Sequence, residues 1–374
     1  MWTRRHLLAG LAAFPALSGA ALAAGSQKRL VVVLLRGGLD GLAAVPPIGD
    51  PAFERLRGDV EGAVPLDGMF ALHPALAPLA PLWSAGSLAV VHATALPYAG
   101  RSHFEAQDLL EGGGRTPREQ ADGWLGRAVA LAGGEALAVG ARVPLLLRGP
   151  VVAASLDPRR DLGLEADLET QVEALYAQDP LLGPALTQGL AMRAQVGDPE
   201  GGAGSPAGAA RVAGDALGRL LATEARTRIA VLELAGWDTH TAQAAGLARQ
   251  LGGLADAILA LQARLGAAWS DTAVVALTEF GRRAALNGTG GTDHGVGGVA
   301  LVAGGAVRGG RVIADWPGLA PAALAEGRDL APTTDLRSLE KAICVQHLGL
   351  DPDRVDREVF PGSSAAPALP GLFG

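Results

Sequence analysis

The chain has 374 residues, 49% hydrophobic and 18% charged, with a net charge of −7. That length and apolar content can bury a large core, which excludes a disordered chain. The acidic balance, with no basic cluster beyond the first few residues, excludes general nucleic-acid binding, which needs Lys and Arg on phosphates.

Residues 1–24 combine Arg4 and Arg5, an apolar stretch from Leu7 and an Ala21-Leu22-Ala23 cleavage pattern, and read as a twin-arginine export signal. A membrane anchor is the competing reading, but the run holds Pro15 and falls short of the ~20 residues of a span. The expectation is a periplasmic domain over 25–374, with no integral membrane segment after signal cleavage.

Residues 28–35 (KRLVVVLL) form a continuous aliphatic run, as expected of a strand buried on both faces of a parallel sheet. Similar runs occupy 88–92, 143–147, 229–234, 272–277 and 299–302. Helical patterns lie between them. The clearest is Leu247, Leu251, Leu254, Ile258, Leu261 and Leu265, whose spacing places all six on one helix face. This alternation predicts an α/β fold with a mostly parallel central sheet and helices on both faces. No stretch after the signal reads as a membrane span. Residues 161–227 hold a mostly helical stretch and then a Gly- and Pro-rich one (197–208), read as a helical cap inserted into a single domain.

In open α/β sheets, ligands sit beyond the carboxyl ends of the strands. The first strand runs into RGGLDGL and delivers Asp40; the strand at 229–234 runs into AGWDTH and delivers Asp238 and His240; the strand at 272–277 runs into TEFGR and delivers Glu279 and Arg282. Asp293 and His294 precede the next strand, after a Gly-rich loop long enough to fold back to the same edge. Carboxylate and imidazole together suit zinc, manganese or iron. Each residue has a plainer reading as well: Asp40 as a turn residue, Asp238 as a helix start, Glu279 as an ion-pair partner of Arg282 or Arg283.

Arg101-Ser102-His103 follows the strand at 88–92 and opens a helical pattern. Ser102 and Glu105 have capping-box spacing, and the same position would hold a nucleophilic hydroxyl beside a metal and a helix N-terminus. Both readings stand on the sequence. His73 and His92 read as core or strand-end residues, and His347 as a cation near a helix C-terminus. Cys344, the single cysteine, reads as a small buried apolar residue.

Taken in order, LLRGGLDGL, HATALPYAGRSHFEAQD, GWDTH, TEFGRRAALNGTGGTDHG and GGAVRGGRVIADWPG resemble a family of exported bacterial proteins, domain-of-unknown-function family 1501. The family is placed near the alkaline phosphatase and sulfatase superfamily, so the resemblance implies that fold, one or two divalent metals at a sheet edge, and a small anionic ester as substrate. Carried over by position, Asp40, Asp238, His240, Glu279 and His294 would be ligands, with Phe280 where the superfamily has histidine; a second alignment makes Asp293 and His294 the Asp-His pair. Ser102 would be the nucleophile, with Thr94 as second choice, and Arg101, His103 and Arg282 would be catalytic neighbours. The resemblance also implies a second exported protein as partner. Two readings follow: a periplasmic metal-dependent phosphate or sulfate ester hydrolase, or a non-catalytic binding protein that keeps a degenerate site.

Overall fold

The computed structural model describes residues 28–158, 166–179, 182–196, 205–223 and 227–374. The expected export signal lies outside the described residues, as do parts of the expected cap, namely 161–165, 180–181, 197–204 and 224–226.

The strands are β1 (Arg29–Arg36), β2 (Val64–Pro65), β3 (Ala71–Leu72), β4 (Leu88–Ala95), β5 (Glu135–Val139), β6 (Val152–Leu156), β7 (Thr227–Ala235), β8 (Thr272–Thr278), β9 (Gly298–Ala303), β10 (Arg311–Ile313) and β11 (Thr334–Asp335). The helices are α1 (Gly41–Ala44), α2 (Phe53–Arg57), α3 (Ala80–Ser84), α4 (His103–Gly112), α5 (Trp124–Ala132), α6 (Ala166–Tyr176), α7 (Leu182–Val196), α8 (Pro206–Thr223), α9 (Gln243–Leu265), α10 (Leu336–Ala342) and α11 (Pro352–Arg354). Among the described residues, nine strands make one sheet in the order β10-β4-β9-β8-β1-β7-β5-β6, with β11 also paired to β4; β2 and β3 form a separate ribbon.

The central strand β1 is parallel to both neighbours, with Leu34 level with Glu233 on β7 and Leu277 on β8. Its alternation explains the layering. Val31, Val33 and Leu35 join one core with Leu217 of α8 and Leu251, Leu254 and Ile258 of α9. Leu30, Val32 and Leu34 join another with Leu109 of α4, Trp124 of α5 and Leu339 of α10. A strand covered on both faces must be apolar at every position, which is why KRLVVVLL lacks a polar alternation. The fold class expected from the order of runs is the one observed.

Three details differ from expectation. The run at 143–147 is not a strand: Leu145–Leu147 is a single 3-10 turn after Pro144, and the sheet instead takes β5 and β6 on either side of it. Proline has no N–H to give to a ladder, so it ends pairing there. The helical stretch Gln243–Asp271 is long and apolar enough to cross a membrane by length and composition, although the sequence showed no such segment beyond the signal. Its leucine face lies in the core, with Leu251 and Leu254 fully buried. His347 is no surface cation: it is buried, its Nε2 meets the Arg29 carbonyl at 2.8 Å, and burial holds its pKa at about 4. His92 is likewise buried, with its pKa lowered to about 4 by burial, and His73 caps the N–H of Ala75 through Nδ1. Cys344 is buried as expected, and burial raises its thiol pKa.

One strand sets up the site. β9 runs antiparallel to both β8 and β4. Its first residues therefore lie at the carboxyl edge of the other strands, and the segment before it needs no return crossing.

Candidate metal centre

Four connections meet at that edge. α4 begins with His103 after β4; the loop after β7 carries Asp238 and His240; the segment after β8 carries Glu279 and Arg282; and the segment leading into β9 carries Asp293 and His294. The 279–297 segment folds on itself as an extended hairpin, with Gly295 N–H to the Gly281 carbonyl at 3.0 Å and Arg283 N–H to the Asp293 carbonyl at 2.9 Å. Its tip is fastened to the loop after β7: Thr292 N–H reaches the Thr239 carbonyl at 3.1 Å, and Asn287 Nδ2 donates to the His240 carbonyl at 2.9 Å. One glycine allows this contact, and another lets the segment after β1 close on the loop after β7. A side chain on Gly291 would lie 2.2 Å from the His240 backbone. Gly37, at φ +126°, would place one 2.5 Å from the Asp238 nitrogen.

Three imidazoles and a carboxylate converge there. His294 Nε2 lies 3.1 Å from His103 Nε2, 3.0 Å from His240 Nε2 and 3.1 Å from Asp238 Oδ1. His103 Nε2 is 3.5 Å from Asp238 Oδ2, and His240 Nε2 is 3.0 Å from Asp238 Oδ1. The far nitrogens face acceptors: His103 Nδ1 meets Glu279 Oε1 at 2.8 Å, His294 Nδ1 meets the Arg101 carbonyl at 3.1 Å, and His240 Nδ1 lies 3.7 Å from Asp293 Oδ1. A carbonyl can only accept, so the His294 proton sits on Nδ1 and its Nε2 presents a lone pair. Burial lowers the His294 pKa, which favours that neutral form. The His294 lone pair therefore faces a carboxylate oxygen and two other ring nitrogens, and one nitrogen cannot satisfy three such contacts by hydrogen bonding.

A cation resolves the conflict, because it converts every facing lone pair into a ligand. The dimensions fit: tetrahedral ligands about 2.0–2.1 Å from zinc lie roughly 3.3 Å from one another. His103, Asp238 and His294 form a candidate metal-binding set, with ligand atoms all within 4.8 Å of one another, and His240 meets two of the three. An acceptor behind each imidazole is the usual outer support of a metal-bound histidine.

The electrostatics of the two carboxylates support the same arrangement. Partial burial opposes ionisation of Asp238, but the hydrogen bond and charge of Arg282 outweigh it and hold the carboxyl below its ordinary range. Burial also opposes ionisation of Glu279, where hydrogen bonds from His103 and Gln107 prevail and lower its pKa. The bond to Glu279 in turn raises the His103 pKa. Phe280 packs against both rings, with centroids 4.7 Å from His103 and 4.8 Å from His294, and forms an apolar wall beside them.

The expected site residues thus divide. His103, Asp238, His240 and His294 come together, and His103, which the resemblance makes a catalytic neighbour, brings a third ring to the cluster. Glu279 stands behind His103, and its Oε1 also accepts from Gly37 N–H at 2.9 Å and Gln107 Nε2 at 3.0 Å. Asp293 stands behind His240 and accepts from Asn287 Nδ2 at 3.2 Å, a bond that lowers its pKa. Asp40 lies apart from the cluster: fully buried, it takes Arg57 Nη1 at 2.6 Å, Gln243 Nε2 at 2.8 Å and Ala43 N–H at 3.2 Å. Arg282 has no side-chain exposure and is spent on Asp238 Oδ1 at 2.6 Å and on the carbonyls of Gly37, Gly38, Trp237 and Thr292. It braces Asp238 from within the protein. Arg101 pairs with Glu326 at 3.0 Å and Asp329 at 3.4 Å. Ser102 is the N-cap of α4 but makes no capping bond, so the capping-box reading fails and its hydroxyl caps nothing. Thr94 is buried within β4. Asp238 does not start α9, which begins at Gln243.

Sequence reasoning missed Arg57, for which no local pattern exists. It also missed Gln107 and Glu111, whose spacing of four from His103 could have shown that one face of α4 carries all three.

A family model described as a protein of unknown function, DUF1501, matches residues 92–356. The chain belongs to this family. The match begins after LLRGGLDGL and so leaves Asp40 outside it. No match was found among curated proteins. Among solved structures, the chain is similar to the C-terminal periplasmic domain of EcEptC from Escherichia coli, with 12% identity, 91% of this chain and 88% of that chain covered, and a TM-score of 0.42. It is also similar to the phosphonate monoester hydrolase of Agrobacterium radiobacter, with 13% identity, coverage of 86% and 74%, and a TM-score of 0.38.

Proposed function

We propose that this DUF1501 chain is a periplasmic, metal-dependent hydrolase of phosphate or sulfate esters, exported by the twin-arginine route. The observation that supports it is the set of lone pairs from His103, His240, His294 and Asp238 facing one another at 3.0–3.5 Å, with an acceptor behind each imidazole. A divalent cation held there would polarise an ester oxygen and acidify an attacking hydroxyl or water. Around it, Arg282 keeps Asp238 ionised and oriented, and Phe280 limits water on one side. The free backbone N–H groups at the start of α4 face the anion, and Ser102 at the same point supplies the attacking hydroxyl. Arg101 exchanges its exposed contact with Glu326 for the transferring group. The ester itself is drawn from the motif resemblance, and the described cap helices belong to one domain with the sheet.

One observation favours the second reading. His240 Nε2 lies as close to Asp238 and His294 as His103 does, so all four residues could close a tetrahedral shell. A closed shell is structural, and the chain would then be a metal-stabilised binding protein with an exported partner. The test is metal analysis after loading with zinc, manganese or iron, followed by turnover of 4-nitrophenyl phosphate and 4-nitrophenyl sulfate. Near-stoichiometric metal and turnover that falls in Ser102→Ala support the hydrolase. Metal without turnover selects the binding protein, and no metal uptake overturns both.

A further inference from the structure

A second feature adjoins the metal centre. A cavity of about 1030 Å³ opens between the carboxyl ends of β1, β5 and β7, the loop after β5, and α8. It is larger than a single phosphate or sulfate requires and lies at the upper end of organic-ligand sites. It connects to the metal cluster along one helix face: His103, Gln107 and Glu111 are spaced by four on α4, and the last two line the cavity. Gln107 Nε2 donates to Glu279 Oε1, the same oxygen that faces His103 Nδ1. The cavity wall is therefore two hydrogen bonds from a metal-facing imidazole.

The charged groups of the lining differ in what they leave open. Arg36 is held by Glu111 at 2.6 Å and by Glu233, so those three satisfy one another. Asp157 already has a partner within the protein. Arg142 and Arg148 line the same cavity, both are exposed, and neither guanidinium has a partner among the described residues. The charge left for a ligand is positive.

We propose that this cavity binds an anionic organic group through Arg142 and Arg148. Within the hydrolase reading, on which this step rests, that group is the part of the substrate beyond the scissile ester, so the substrate carries a sulfate, phosphate or carboxylate in addition to the one that reacts. Guanidinium forks suit all three anions, and the mixed lining, with Leu145, Ala209 and Leu232, accommodates an organic body.

The experiment uses metal-free protein, so that the metal centre takes no part. Binding of benzene-1,3-disulfonate and of its uncharged disulfonamide analogue is measured by calorimetry, with inorganic sulfate as the anion alone. The disulfonate binds the wild type and weakens with salt, while the disulfonamide does not bind. Arg142→Ala and Arg148→Ala each weaken the disulfonate about tenfold or more, and the Lys variants retain part of it. Binding of sulfate alone, with no gain from the organic body, overturns the organic-group assignment. Equal binding by the double Ala variant, or none by the wild type, overturns the proposal. Metal uptake and ester turnover are measured separately, so failure of the cavity and failure of the metal site are distinguishable.

Discussion

Asp40 and Asp238 stand at the ends of neighbouring parallel strands, β1 and β7, and each meets an arginine at 2.6 Å. Their surroundings diverge. Asp40 is sealed, with its acceptors taken by Arg57, Gln243 and the first turn of α1, and Gln243 Oε1 in turn accepts from Thr292 Oγ1 at 2.8 Å. Asp238 uses Arg282 as a brace and still turns its carboxylate toward three imidazoles. Delivery to the sheet edge is thus shared by both residues. The state of their lone pairs separates a buried brace from a ligand.

Removing a residue of each kind should give opposite phenotypes. The largest effect is expected for His294→Ala, which removes the nitrogen on which the other contacts centre: bound metal should be lost on dialysis, read by elemental analysis, while the urea midpoint of the metal-free protein stays near that of the wild type. Loss of stability with metal retained would reverse the assignment. Asp40→Ala should do the converse, leaving the Arg57 charge buried without its partner and costing about 3–5 kcal/mol in urea unfolding. Replacing both, as Asp40→Leu with Arg57→Met, should restore much of that stability.

Acid unfolding sharpens the same contrast. Burial opposes ionisation of Asp40, but the charge and hydrogen bonds of Arg57 prevail, and its pKa lies below the ordinary carboxylate value. A carboxyl with a lowered folded pKa contributes stability that is complete above its unfolded value, about 3.9, and is lost as pH falls through the folded value. The wild type should therefore lose stability more steeply than Asp40→Ala below about pH 4. Parallel stability-pH curves for the two proteins would show that Asp40 is not the group responsible.

The sheet was legible because a strand covered on both faces has no polar alternation, and the leucine face of α9 because its spacing admits one helical reading. The site was legible as a set of strand-end loops. Two things were not. The direction of β9 is a property of pairing with β8 and β4, so the position of Asp293 and His294 was credited to a flexible loop when an antiparallel strand brings them to the edge. The division between ligand and support was also hidden. Glu279 and Asp40 both follow a strand as a ligand should, but their oxygens are claimed by Gln107, Gly37 and Arg57, partners distant in sequence and unmarked by any local motif.

Glu279 offers the smallest and most discriminating change. Its Oε1 lies 2.8 Å from His103 Nδ1, so an ionised carboxylate fixes the proton there and leaves Nε2 as the ligand atom. Glu279→Gln keeps the shape and removes the charge, and a loss of about 10- to 100-fold in metal affinity is expected, measured by competition against a chelator. If Glu279 were itself a ligand, the variant would lose metal as completely as His294→Ala does. If it only filled space, affinity would not move. The intermediate result is the one expected of a carboxylate that reaches the cation through an imidazole.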